Sequence, residues 1–140
     1  MTDKVFVDTN ILVYAHDLDA GDKQGLAADI VSRLWESRNG VLSTQVLQEF
    51  YVTLTRKVSS PLSKLEARKL VQKYSHWNVV LNDPSIISQA SEIEESYNLS
   101  FWDALIVSAA YSQNVPTIFT EDLNHGQIIE GISIKNPFIE

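Results

Sequence analysis

The 140-residue chain contains no cysteine, which excludes a disulfide framework and any thiolate metal site. It also lacks an apolar stretch long enough to cross a bilayer as a helix. Nothing at the N-terminus reads as a signal peptide, because Asp3 and Lys4 precede an apolar run of only a few residues. A soluble, cytoplasmic protein is expected. Positive charge is scarce: 11 Lys and Arg stand against 18 Asp and Glu, for a net charge of −7. Phosphate contacts need Lys and Arg, so this balance argues against a general nucleic-acid binder. The argument weakens if some acids sit in a cluster that metal neutralises, or if the bases are gathered in one place.

What is present is ordinary in bulk. A hydrophobic content of 44% lies in the globular range, and a chain of this length buries a core without staples. No repeat, low-complexity segment or linker interrupts it, so residues 1–140 read as one domain. Val5-Phe6-Val7 is a short apolar run ending in Asp8 and flowing into Thr9 to Tyr14, a strand meeting a helix that Thr9 or Asn10 can cap. A polar loop is expected from Asp17 to Gly25, then a helix over Ala27 to Arg38 with Ile30, Val31, Leu34 and Trp35 inward, ended by Asn39-Gly40. Val41 to Ser43 reads as a second strand, followed by a helix to about Lys57 that Ser43 or Thr44 caps. After Ser59-Ser60-Pro61, Ser63 to Tyr74 has helical spacing with Leu65, Leu70 and Val71 inward. A third strand over Asn78 to Leu81 precedes a helix opened by Asp83-Pro84, whose stripe is Ile86, Ala90, Ile93 and Tyr97. A helix over Ser100 to Gln113, a fourth strand over Pro116 to Thr120 and a fifth over Ile132 to Ile134 complete the pattern. Alternating helices and short, wholly apolar strands imply an α/β three-layer sandwich with a mostly parallel sheet of four or five strands. In such a sheet the ligand site lies at the carboxyl ends of the strands.

Acids stand at those ends. Asp8 closes the first strand and Asp122 follows the fourth, so both belong to one sheet edge, although Asp is also a common cap and turn residue. Asp103 shares a helical stripe with Val107 and Ala110 and is therefore no ordinary solvated acid; it also stands at capping-box spacing from Ser100. Glu49 borders the apolar face between Val46 and Phe50 and, taken alone, reads as a surface glutamate. Carboxylates forced together repel, and a hard divalent cation relieves the repulsion. Magnesium or manganese on a few carboxylates is a common arrangement for work on phosphates. The three histidines, His16, His76 and His125, have no spacing suited to zinc and read as surface or loop residues.

Four segments then resemble the acidic motifs of PIN-domain ribonucleases: Val7-Asp8-Thr9-Asn10, Gln48-Glu49-Phe50, Phe101-Trp102-Asp103-Ala104 and Thr120-Glu121-Asp122-Leu123. The resemblance runs over essentially the whole chain and is closest to the short VapC-like toxins of toxin–antitoxin pairs. It implies that Asp8, Glu49, Asp103 and Asp122 are metal-binding, catalytic carboxylates, oriented by Thr9, Asn10 and Thr120. It further implies hydrolysis of RNA phosphodiesters with Mg²⁺ or Mn²⁺ (one ion or two), a cognate antitoxin and a homodimer. Glu121 beside Asp122 leaves open which of the two faces the site.

Six of the eleven bases, Arg56, Lys57, Lys64, Arg68, Lys69 and Lys73, fall in one stretch holding a single acid, Glu66. Lys64/Arg68 and Lys69/Lys73 are like-charge i,i+4 pairs, which disfavour a helix unless an anion faces them. This segment is expected either to contact RNA or antitoxin, or to be a solvated face. Two other readings compete. A haloacid dehalogenase-type phosphatase needs a second Asp where Asn10 stands, and a non-catalytic PIN-like RNA- or protein-binding module would be expected to lack one of the four acids.

Overall fold

The computed structural model describes residues 3–139. Its strands are β1 (Val5–Val7), β2 (Gly40–Ser43), β3 (Asn78–Val80), β4 (Thr117–Phe119), β5 (Ile128–Ile129) and β6 (Ile132–Lys135). The helices are α1 (Thr9–His16), α2 (Asp22–Ser37), α3 (Thr44–Arg56), α4 (Lys64–Tyr74), α5 (Pro84–Tyr97) and α6 (Phe101–Ser112). One six-stranded sheet has the order β3-β2-β1-β4-β6-β5, parallel except for the β5–β6 pair. The sequence predicts four or five strands. The additional one, β5, has two residues, too few to carry a periodic signal.

Helices cover both faces, with α5 packed on α6 and, separately, α1 on α2 and α3, and α3 on α4. This explains why Phe6, Val7, Val41, Leu42 and Ile118 are all buried although strand side chains alternate between faces. Short polar residues start most helices: Ser43 caps α3, Ser63 with Glu66 forms a capping box on α4, Asp83 precedes Pro84 on α5, and Ser100 caps α6.

Local expectations fail at four places, each for a nameable reason. The cap of α1 is Asp8, whose Oδ1 accepts from the Thr9 amide at 2.7 Å, rather than Thr9 or Asn10. Helix α2 begins at Asp22, inside the expected loop, because Gly21 takes φ +64°, open to glycine without strain. The same helix ends with Arg38 in the left-handed region, at φ 61°, one residue before Asn39-Gly40. In α4, Leu65 is 53% exposed while Ala67 and Tyr74 are buried, so the inward stripe passes through smaller and more aromatic residues than expected.

The chain runs from β1 to β2 and β3 on one side, then returns to place β4 on the other side of β1. The crevice between β1 and β4 is therefore a topological switch point, where open α/β sheets hold their ligands.

Candidate active site

Asp8 occupies that crevice. Its amide donates to the Phe119 carbonyl at 3.0 Å, joining the ends of β1 and β4. Only 5% of Asp8 is exposed. Its Oδ1 accepts from the Thr9 amide, and its Oδ2 accepts from the Thr120 hydroxyl at 2.7 Å. Burial pushes its carboxyl up to about 7; the two hydrogen bonds oppose the shift, and the charges of Asp122 and Glu49 add to it.

The neighbouring acids are held by the residues next to Asp8. Thr9 donates its hydroxyl to Glu49 Oε1 at 2.7 Å, and Asn10 donates Nδ2 to Asp122 Oδ2 at 2.9 Å. The Thr120 hydroxyl, besides serving Asp8, accepts from the Asp122 amide at 3.1 Å. Asp122 is itself raised above the usual carboxylate range, by partial burial first and by the Asp103 charge second. Asp103 is half-buried in the first turn of α6, where the Ser100 hydroxyl accepts from its amide at 3.1 Å. The four acids thus form a chain of electrostatic neighbours across the strand ends.

Among the described residues, no three acidic or histidine side chains stand as a ready metal-binding set. The donor chemistry nevertheless suits a hard cation. Every candidate ligand is oxygen, the carboxylates repel one another, and Asn10 keeps a buried Oδ1 without a hydrogen-bond partner beside them.

Glu121 and Asp122 part company. One Glu121 oxygen accepts from the Tyr14 hydroxyl and the other from Lys23 Nζ at 2.8 Å. Partial burial works to raise its pKa, but those two donors outweigh it and hold Glu121 below the usual glutamate range. Asp122, by contrast, lines a groove of about 650 Å³ that also takes in Thr9, Asn10, Glu49, Thr53, Lys57 and Ser59.

The basic stretch is divided. Lys57 lines that groove, whereas Arg68 lines a smaller, mainly apolar hollow with Leu47, Tyr51 and Val71. Arg56, Lys64 and Lys69 line neither and are exposed. Lys73 lies over the Trp35 ring, 5.5 Å from its centre. Phe50 is wholly core, while Trp35 and Tyr51 are half-buried.

His16 is not a surface or loop residue as the sequence suggests. It ends α1, half-buried, with Nε2 2.5 Å from the Tyr74 hydroxyl and its ring edge-on to Phe50. Sequence reasoning also misses three residues that support the site. Gln45, 5% exposed, donates Nε2 to the Trp102 carbonyl at 3.2 Å and ties the start of α3 to the start of α6, hence the helix of Glu49 to that of Asp103. Its i,i+4 spacing from Glu49 was the available signal. Tyr14 and Lys23 gave none, since their partner lies about a hundred residues away.

Comparison with known proteins bears on the family and the fold. The PIN domain family matches residues 5–129. No protein of curated function matches the chain closely enough in sequence to count as a relative. Among solved structures, a toxin–antitoxin complex from Klebsiella pneumoniae is 19% identical with a TM-score of 0.69, covering 96% of this chain and 98% of that one. DNA-bound VapBC from Salmonella typhimurium is 19% identical with a TM-score of 0.68, over 98% and 99% of the two chains. VapC20 of Mycobacterium tuberculosis, a toxin that cleaves the sarcin–ricin loop, is 23% identical with a TM-score of 0.64, over 85% and 90%. At these identities the likeness is one of fold. With the family's model matched over residues 5–129, this chain belongs to the PIN domain family.

Proposed function

We propose that this protein is a metal-dependent endoribonuclease, the toxin of a toxin–antitoxin pair, with Asp8, Glu49, Asp103 and Asp122 as the residues that would hold Mg²⁺ or Mn²⁺. The observation that carries the reading is Asp8: a carboxyl buried at the switch point of the sheet, raised to about 7 and crowded by two further acids. A fold gains nothing from such an arrangement unless a cation completes it. Held by these four carboxylates, such an ion would supply an activated water and charge stabilisation for the leaving oxygen of a phosphodiester.

The protein's own groups do the rest. Thr9 and Asn10 each take one oxygen of a groove-lining carboxylate, Glu49 and Asp122, and Thr120 holds one oxygen of the buried Asp8. Full ligand strength requires Asp8 to release its proton, so ion binding and proton release are coupled. Asn10 stands where a phosphatase of the haloacid dehalogenase type needs an acid, and its amide is committed to Asp122. Lys57 supplies a positive charge along the groove at some distance from the acids, suited to a neighbouring phosphate of a single strand. Arg56, Lys64, Arg68 and Lys69 extend that charge over the adjoining surface, toward RNA or toward acidic residues of an antitoxin. Structures of like fold that are toxin–antitoxin complexes support an antitoxin partner, and the protein is proposed to act as a homodimer.

Cleavage of total cellular RNA by purified protein tests this reading, with Mg²⁺ or Mn²⁺, with EDTA, and with Asp8→Asn. Metal-dependent cuts absent from both controls support it. A second reading, a PIN-like module that binds without cutting, is favoured by the lack of a ready three-residue metal set among the described residues. No Mn²⁺ binding and no cleavage of any RNA by folded, antitoxin-free protein would select it.

A further inference from the structure

We infer that Lys23 is a positioning residue for the acid cluster: through Glu121 and Tyr14 it fixes the segment after β4 so that Asp122, and not its neighbour, faces the groove. The inference deepens the metal-site reading above and rests on it.

Residues 121–125 belong to no strand or helix. Two adjacent acids on an irregular segment can exchange places by modest backbone rotation, and Glu121 has the longer reach. What separates them is local. Asp122 is held by the Asn10 side chain and by its own amide on Thr120. Glu121 is drawn the other way, with both oxygens occupied by donors from two different helices, Tyr14 of α1 and Lys23 of α2. Lys23 is itself placed from several sides. Its ammonium lies 4.9 Å from the centre of the Tyr14 ring and 5.4 Å from that of Phe138, and those two rings meet edge-on at 5.5 Å.

This pairing is too exposed to matter much as a source of stability: the two side chains are 43% and 21% exposed, and surface ion pairs contribute little. Its value is directional. Without the ammonium, Glu121 is an uncompensated anion beside Asp122, held by the Tyr14 hydroxyl alone, and its second oxygen can turn toward a cation in the groove.

Three variants of the full chain, free of antitoxin, test the idea: Lys23→Met, which keeps the apolar stem, Lys23→Arg, which keeps the charge, and Asp8→Asn. The first readout is hydrogen exchange of the amides of residues 121–125 in metal-free protein. The second is Mn²⁺ affinity by calorimetry, and the third is kcat and KM on an RNA oligonucleotide. Lys23→Met is expected to speed exchange in that segment alone, weaken Mn²⁺ at least about fivefold, and lower kcat while KM stays within about twofold. Lys23→Arg is expected to restore most of the loss. Exchange and Mn²⁺ affinity both unchanged in Lys23→Met, with Mn²⁺ binding abolished in Asp8→Asn, would overturn the role of Lys23 alone. Mn²⁺ binding unchanged in both variants would overturn the metal-site reading along with it.

Discussion

Replacing Asp8 with asparagine should stabilise the metal-free protein, and the size of the gain follows from the site. The carboxyl is raised from its ordinary value of 3.8 to about 7, chiefly by burial. In the window between those values the folded protein holds a proton that the unfolded chain has released. Folding stability therefore falls as pH rises through the window, and above about 7 the penalty is constant. Roughly three pH units at about 1.4 kcal/mol each amount to about 4 kcal/mol. Asparagine removes that penalty. Its carbonyl can still accept from the Thr9 amide, but its NH₂ cannot accept from the Thr120 hydroxyl as Oδ2 does. Losing that bond costs about 1–2 kcal/mol, which leaves a net gain of about 2–3 kcal/mol at pH 8. For a chain of this length each kcal/mol moves Tm by about 3 °C, so Asp8→Asn should melt about 6–9 °C above the native protein in EDTA at pH 8. At pH 4 the order should reverse, because native Asp8 is then neutral and keeps its bond to Thr120. Thermal melts from pH 4 to pH 8.5, read as the difference between the two proteins, cancel the titration of every other group. A difference that does not grow with pH, or a variant that melts below the native protein at pH 8, would refute the buried-charge argument.

Three further outcomes are expected. Mn²⁺ at about a hundredfold over its dissociation constant should add about 2.7 kcal/mol to the native protein, read as a rise in Tm, and nothing to Asp8→Asn; equal shifts in both would place the ion elsewhere. Lys57→Gln should weaken binding of single-stranded RNA in EDTA and reduce the slope of log affinity against log salt by about one, while Lys64→Gln changes it less; fluorescence anisotropy at several salt concentrations would expose equal effects. Gly40→Ala should destabilise by about 1–3 kcal/mol, because the added carbon would lie 2.3 Å from the Trp77 ring; an unchanged denaturant midpoint would show that the indole yields freely.

The candidate site is legible in the sequence where it depends on chain-local chemistry. Asp8 and Asp122 were placed by their strands, and Asp103 by its position on an apolar stripe. The parallel sheet followed from short strands that are apolar on both sides. What could not be read are the choices made between distant residues. Nothing local distinguishes Glu121 from Asp122; the distinction comes from Lys23 and Tyr14, brought over by the packing of α1 and α2. Likewise the cap of α1 was assigned to Thr9 or Asn10, whose side chains instead reach Glu49 and Asp122. Cap preference is a weak signal where the same polar atoms have tertiary partners. Leu65 was counted as core because helical spacing alone cannot say which flank of a stripe the neighbouring helix covers.

The placement of the four acids has a consequence for how the protein is made. Asp8 closes β1 and Asp122 follows β4, on a segment secured by Thr120, whose amide in turn donates to the Lys135 carbonyl of β6 at 3.0 Å. A growing chain therefore cannot hold Asp122 in place beside Asp8 until β6 has emerged and paired with β4. On the proposed reading, products that stop short of β6 are harmless to the machinery that makes them, and an inhibitor is needed only after that strand has paired.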